Sequence, residues 1–136
     1  MATALYGKGR EGFGQGVFVW TTDDIRVGLI DTGSYTVAIT TDDNLDDIAG
    51  GAQIALSAAS IANKTNTLGV MDGDDITLSS VSGAQFEAIV IYKHNASQAS
   101  ARLIAYIDNY TGLPCTPNGG NITVSFPNDS NKIFKL

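Results

Sequence analysis

Apolar and polar positions alternate with a period of two in three parts of the chain. Ile25, Val27 and Leu29 alternate with Arg26, Gly28 and Ile30; Ile76 and Leu78 with Asp75, Thr77 and Ser79; Ile122, Val124 and Phe126 with Asn121, Thr123 and Ser125. Successive side chains on a strand point to opposite faces, so each run predicts a strand with one buried face. Two other runs, FEAIVIYK at 86–93 and RLIAYID at 102–108, are apolar on both faces. Such strands lie in the middle of a sandwich or contribute their second face to a neighbouring subunit.

Turn formers separate these runs. Asp31-Thr-Gly-Ser, Met71-Asp-Gly-Asp, Ser80-Val-Ser-Gly83, His94-Asn-Ala-Ser97, Asn118-Gly-Gly and Pro127-Asn-Asp-Ser130 supply side-chain caps or glycines that accept positive φ. Helix is confined to residues 3–13, where Ala4, Leu5, Lys8 and Arg10 favour it against Gly7, Gly9 and Gly12, and to one turn near 44–48. Short strands with closely spaced turns predict an all-β protein. The expected architecture is one domain over 1–136, a β-sandwich of jelly-roll or Ig-like type, with an N-terminal helix or arm at 1–16.

Composition narrows the chemistry. A chain of 136 residues with 43% hydrophobic and 16% charged content can bury one core. The net charge is -6, and residues 21–78 hold ten aspartates against Arg26 and Lys64. With the eight basic residues scattered, no phosphate-neutralising tract exists, which excludes direct nucleic-acid binding. The acidic half reads as solvated loops or as a surface for a basic partner. No apolar stretch approaches the roughly 20 residues that span a bilayer, and no secretion signal is present, so a cytoplasmic product without a membrane partner is expected.

Motifs of catalysis fail on context. Gly7-x-Gly9-x-x-Gly12 with Asp31 downstream imitates a dinucleotide fingerprint, but only six residues precede Gly7, and VFVW at 17–20 reads as extended where a long helix is needed. The glycines read instead as loosening a short N-terminal helix. His94 is the only histidine and sits at a strand end without a nucleophile elbow. Cys115 stands alone, excluding an internal disulfide, and has no base nearby in sequence. An EF-hand starting at Asp42 would need glycine and glutamate where Asp47 and Gln53 stand. No catalytic residue, cofactor or metal ligand is therefore expected. Four glycosylation sequons, at Asn95, Asn109, Asn121 and Asn128, carry no meaning without secretion.

A resemblance adds to this. ALYGKGREGF at the start, Trp20 followed by Asp24-Ile25-Arg26-Val27, IDTGSYTV at 30–37, VSGAQFEAIVIYK at 81–93, and above all LIAYIDNYTGLPCTPNGGNITVSF closing on IFKL resemble a family of small virion structural proteins of tailed bacteriophages. The chain departs from that pattern at Gly12 and Gly14, where a stronger helix is usual, and at Cys115, where an aliphatic residue is usual. The resemblance implies a structural role and no enzyme: a capsid decoration (cement) protein on the capsid exterior, made in the host cytoplasm, trimeric, with the major capsid protein as partner. Leu5, Tyr6, Phe13, Phe18 and Trp20 are the candidate partner-binding residues, on a contact arm or on a helix that caps the core. Two alternatives remain: a neck or tail component, and a carbohydrate-binding module using Trp20, Tyr35, Tyr92, Tyr106 and Tyr110.

Overall fold

The computed structural model describes residues 3–136. It is mostly β-sheet with one short helix, as the period-two runs require. In chain order the elements are β1 (Ala4–Leu5), α1 (Gly7–Gly14), β2 (Ile25–Ile30), β3 (Gln53–Leu56), β4 (Thr65–Thr67), β5 (Val70–Asp72), β6 (Ile76–Leu78), β7 (Ala88–Lys93), β8 (Leu103–Ile107), β9 (Ile122–Val124) and β10 (Phe134–Lys135), with single 3-10 turns at Leu45–Asp47, Gly50–Ala52 and Gln98–Ser100. The main sheet has five antiparallel strands in the order β1-β8-β7-β2-β3. Two smaller sheets, β10-β5-β4 and β6-β9, complete the fold.

The doubly apolar strands are the middle of the main sheet, and this chain covers both of their faces. Ile25, Val27, Leu29, Ile89, Ile91, Ile104 and Ile107 pack under the two small sheets with Met71, Ile76, Leu78, Val124 and Phe134. The opposite face presents Ile30, Val90, Tyr92, Leu103 and Tyr106, covered by Tyr6 and by residues 31–52, a strap that reaches in with Tyr35, Leu45, Ile48 and Ala52. The second face therefore needs no neighbouring subunit, which removes the sequence-level reason for expecting one there. A bulge in β8 keeps both faces filled: pairing passes from Ile91 with Ala105 to Tyr92 with Leu103, so Ile104 and Ala105 both turn to the small-sheet side.

Gly9 and Gly12 are spacers against close neighbours, not loosening devices. A β-carbon on Gly9 would lie 2.8 Å from the Ile104 carbonyl oxygen, and one on Gly12 would lie 2.5 Å from the Phe18 ring. Three residues apart, they share the helix face that lies on β8. Gly7 N–H donates to the Ile39 carbonyl at 2.8 Å, so the first amide of α1 already has a protein partner. Asp31, the apparent ribose acid, accepts from the Gly33 amide at 2.8 Å in its own turn.

The strand expected at 25–30 forms over its full length as β2, and β7, β8, β6 and β9 form with ends trimmed by one or two residues. Met71 and Asp72 belong to a strand, not to the expected turn. Residues 17–19 join no strand and Trp20 begins a turn: the Val17 amide donates to the Gly12 carbonyl, and that of Val19 to Asp23 Oδ2 at 2.7 Å.

Candidate functional site

The alternation of VFVW turns two side chains inward and two outward. Phe18 and Trp20 are buried, Trp20 with only 2% of its surface exposed, and Val17 and Val19 face out. The Trp20 ring meets Phe134 edge-on at 5.2 Å between centroids, and its Nε1–H donates to the Asp72 carbonyl at 3.0 Å, so both the apolar body and the polar tip are satisfied. Phe13 bridges Phe18 at 5.0 Å and Phe134 at 6.0 Å. Of the five candidate contact residues, Tyr6 is fully buried on the strap side, Phe18 and Trp20 are core, and Leu5 and Phe13 are half-buried against the core. In this structure these side chains pack against the body, the arrangement of the capping alternative, and hold other residues at the surface.

What they hold is an apolar rim. Phe13, Phe18 and Trp20 line a groove of about 260 Å³ whose other walls are Val19, Thr21, Asn66 and Leu136. That volume lies under the roughly 300 Å³ at which small-molecule sites begin. Val19 is 51% exposed and Leu136 52%. Beside them, the β4–β5 hairpin turns through Leu68 and Gly69 alone, since Thr67 pairs with Val70. Both loop residues have positive φ, 53° and 83°, the backbone of a type I′ turn. Leu136 N–H donates to the Gly69 carbonyl at 2.9 Å, and Asn66 Oδ1 accepts from the Gly69 amide at 3.1 Å, tying the hairpin tip to the groove wall.

Leu68 breaks two rules at once. A left-handed backbone costs an ordinary L-residue about 1–2 kcal/mol, and the first loop position favours asparagine or glycine. Its side chain is also 95% exposed, so no burial in this protomer offsets that strain. Strain together with exposed apolar surface marks functional positions. Sequence reasoning missed it because Thr-Leu-Gly-Val lacks the Asn-Gly signature; the available signal was a lone Leu-Gly between short runs able to pair.

Two ion pairs lie at this end. Lys93 Nζ stands 3.3 Å from Asp23 and 3.1 Å from the Val17 carbonyl, and Lys132 Nζ lies 2.9 Å from Asp72. The strap on the other side of the sheet carries Asp31, Asp42, Asp43, Asp46 and Asp47 without a lysine or arginine. Its carboxylates organise backbone: Asp47 accepts from the Asp43 amide at 2.8 Å and the Asn44 amide at 3.2 Å, and the Asp43 amide first, with that of Asn44, pulls its carboxyl below the ordinary range. Asp42 Oδ2 accepts from the Tyr35 hydroxyl at 2.7 Å and the Ala38 amide at 3.0 Å. With its proton given to Asp42, the Tyr35 oxygen accepts from Tyr6, 3.0 Å away.

Other candidate chemistry stays apart. His94 follows β7, and its backbone N–H donates to the Asp24 carbonyl at 2.8 Å. Cys115 pairs by backbone with Phe86 and lines a cleft of about 250 Å³ together with Tyr110. Among the described residues, no group of three histidine, cysteine or acidic side chains could hold a metal ion, and no helix is long and apolar enough to cross a membrane. Trp20, Tyr35, Tyr92 and Tyr106 are buried and present no ring face to a sugar; Tyr110 is half-buried, and its hydroxyl accepts from the Ser125 amide at 2.9 Å. The sequence matches no protein-family model, and no curated protein is significantly similar to it.

Proposed function

We propose that the protein acts by adhesion, as a structural component of a tailed-phage virion, and specifically as a decoration protein seated on the outside of the major capsid lattice. The body is read as a small β-sandwich, the main sheet layered against the two smaller ones. The observation that carries the proposal is the exposed, backbone-strained Leu68 beside a groove floored by phenylalanine and tryptophan. A surface that costs stability in the free protein is explained by the free energy it returns on contact. The acidic strap supports the outward orientation, since a negatively charged exterior keeps a particle dispersed. Binding the expanded capsid more tightly than its precursor would stabilise it, and many weak contacts across a symmetric lattice would add up.

Quantitative mass spectrometry of purified particles of the encoding phage tests this. Hundreds of copies per particle are expected, with heads that lose DNA at lower temperature when the gene is deleted. About a dozen copies would assign the protein to a neck or tail ring instead, and absence from the particle would end the structural reading.

A further inference from the structure

We infer that the apolar rim is a contact between copies of this chain, with Leu68 of one copy entering the Phe13, Phe18, Trp20 groove of the next.

Three observations favour a second copy over other occupants. The first is complementary shape on one patch. Leu68 stands out from the hairpin tip, and the adjoining groove has room for about one side chain and is too small for an ordinary ligand. Because Asn66 and Leu136 wall the groove and also bind the Gly69 backbone, projection and recess belong to one rigid unit, as a self-complementary contact requires. The second is charge. Two molecules of net charge -6 repel unless they meet where that charge is balanced. At the rim Asp23 is paired with Lys93 and Asp72 with Lys132, and Lys135 and Asp129 add one charge of each sign, whereas the strap's five aspartates, with no lysine or arginine among residues 31–52, lie across the sheet. Rim-to-rim contact brings together the neutral ends and keeps the acidic faces apart. The third is the conformation of Leu68, which presents an anchor already in place, so that little ordering accompanies contact.

This inference does not rest on the virion reading, and the two are tested separately. Leu68→Asn suits the test because Asn-Gly is the preferred pair for a type I′ turn, so the hairpin is retained while the apolar projection is removed. Val19→Asp, in the groove wall, probes the other half. Sedimentation velocity over a concentration series is expected to show the wild-type protein associating, while each variant weakens association by about ten- to a hundredfold with its thermal midpoint retained or, for Leu68→Asn, raised. The mass of the complex gives the number of copies. A wild-type protein that stays monomeric at the highest concentration overturns the inference, as does a Leu68→Asn variant that associates like wild type. If the wild type is monomeric and Leu68→Asn fails to bind heads, the rim serves another partner: the inference falls and the adhesive reading stands. Association through Leu68 in a protein that never enters particles has the opposite consequence: the inference stands and the virion reading falls.

Discussion

The two faces of the main sheet are closed in different ways. Small sheets cover one, and the core cluster there is hydrocarbon apart from the Met71 thioether and the Trp20 indole N–H, which has a carbonyl partner. The other lies under a strap whose anchors, Tyr35, Leu45, Ile48 and Ala52, are separated by exposed residues, and it holds four of the five tyrosines. A paired layer excludes water by packing; a strap depends also on hydroxyls and on a carboxylate. The same sheet thus has one face whose stability is nearly independent of pH and one that senses it.

The largest expected effect breaks the hydrocarbon face. Trp20→Ala removes the ring that meets Phe134 and is expected to cost about 3–5 kcal/mol in urea unfolding, as large-to-small core substitutions do. Alkaline pH acts on the opposite face. Burial, as the leading cause, raises the pKa of Tyr6, Tyr35, Tyr92 and Tyr106, that of Tyr92 to about 12. Groups raised on folding stabilise fully below the unfolded value of about 10, and that contribution is lost as pH climbs through the folded value. Stability is therefore expected to fall from pH 10 upward, with strap amides losing hydrogen-exchange protection before those of β7 and β8. Equal loss on both faces would count against two separable layers.

Smaller effects sharpen the contrast. Tyr35→Phe leaves the shape intact but strips Asp42 of a donor and Tyr6 of an acceptor, for a loss of about 1–3 kcal/mol read by thermal unfolding. The same measurement on Leu68→Asn is expected to show a gain of about 1 kcal/mol or less, because asparagine tolerates the left-handed backbone that leucine resists.

Legibility follows the same division. Strands β2, β7, β8 and β9 can be read from the sequence because alternation or double-sided apolarity extends over several residues, and their partners lie in the same pattern. Strand β4 cannot: Thr65-Asn66-Thr67 is polar and exposed, and only its pairing with β5 makes it a strand. Much of the strap is hidden because no buried anchor recurs between Tyr35 and Leu45; only Leu45, Ile48 and Ala52 keep a spacing of three and four, at the turn expected near 44–48. At the N-terminus the helix is legible but the role of its glycines is not, since a close approach to Ile104 and Phe18 is a property of residues distant in sequence or turned back by a loop. The aromatics near the rim stand out in the sequence as a group, but that Phe13, Phe18 and Trp20 line one groove beside the hairpin shows only in the structure. Leu68 requires the backbone angle before its exposure acquires meaning.

The pairing of β1 with β8 has a consequence for synthesis. Thr3 and Asp108 share hydrogen bonds across 105 residues of chain. On the ribosome, β1 has no docking place until β8, which follows it in the chain by most of the main sheet, has emerged. The main sheet acquires its outer strand, and the helix its bed, only once β8 is made, so acquisition of the native shape is a concerted event governed by distant encounters.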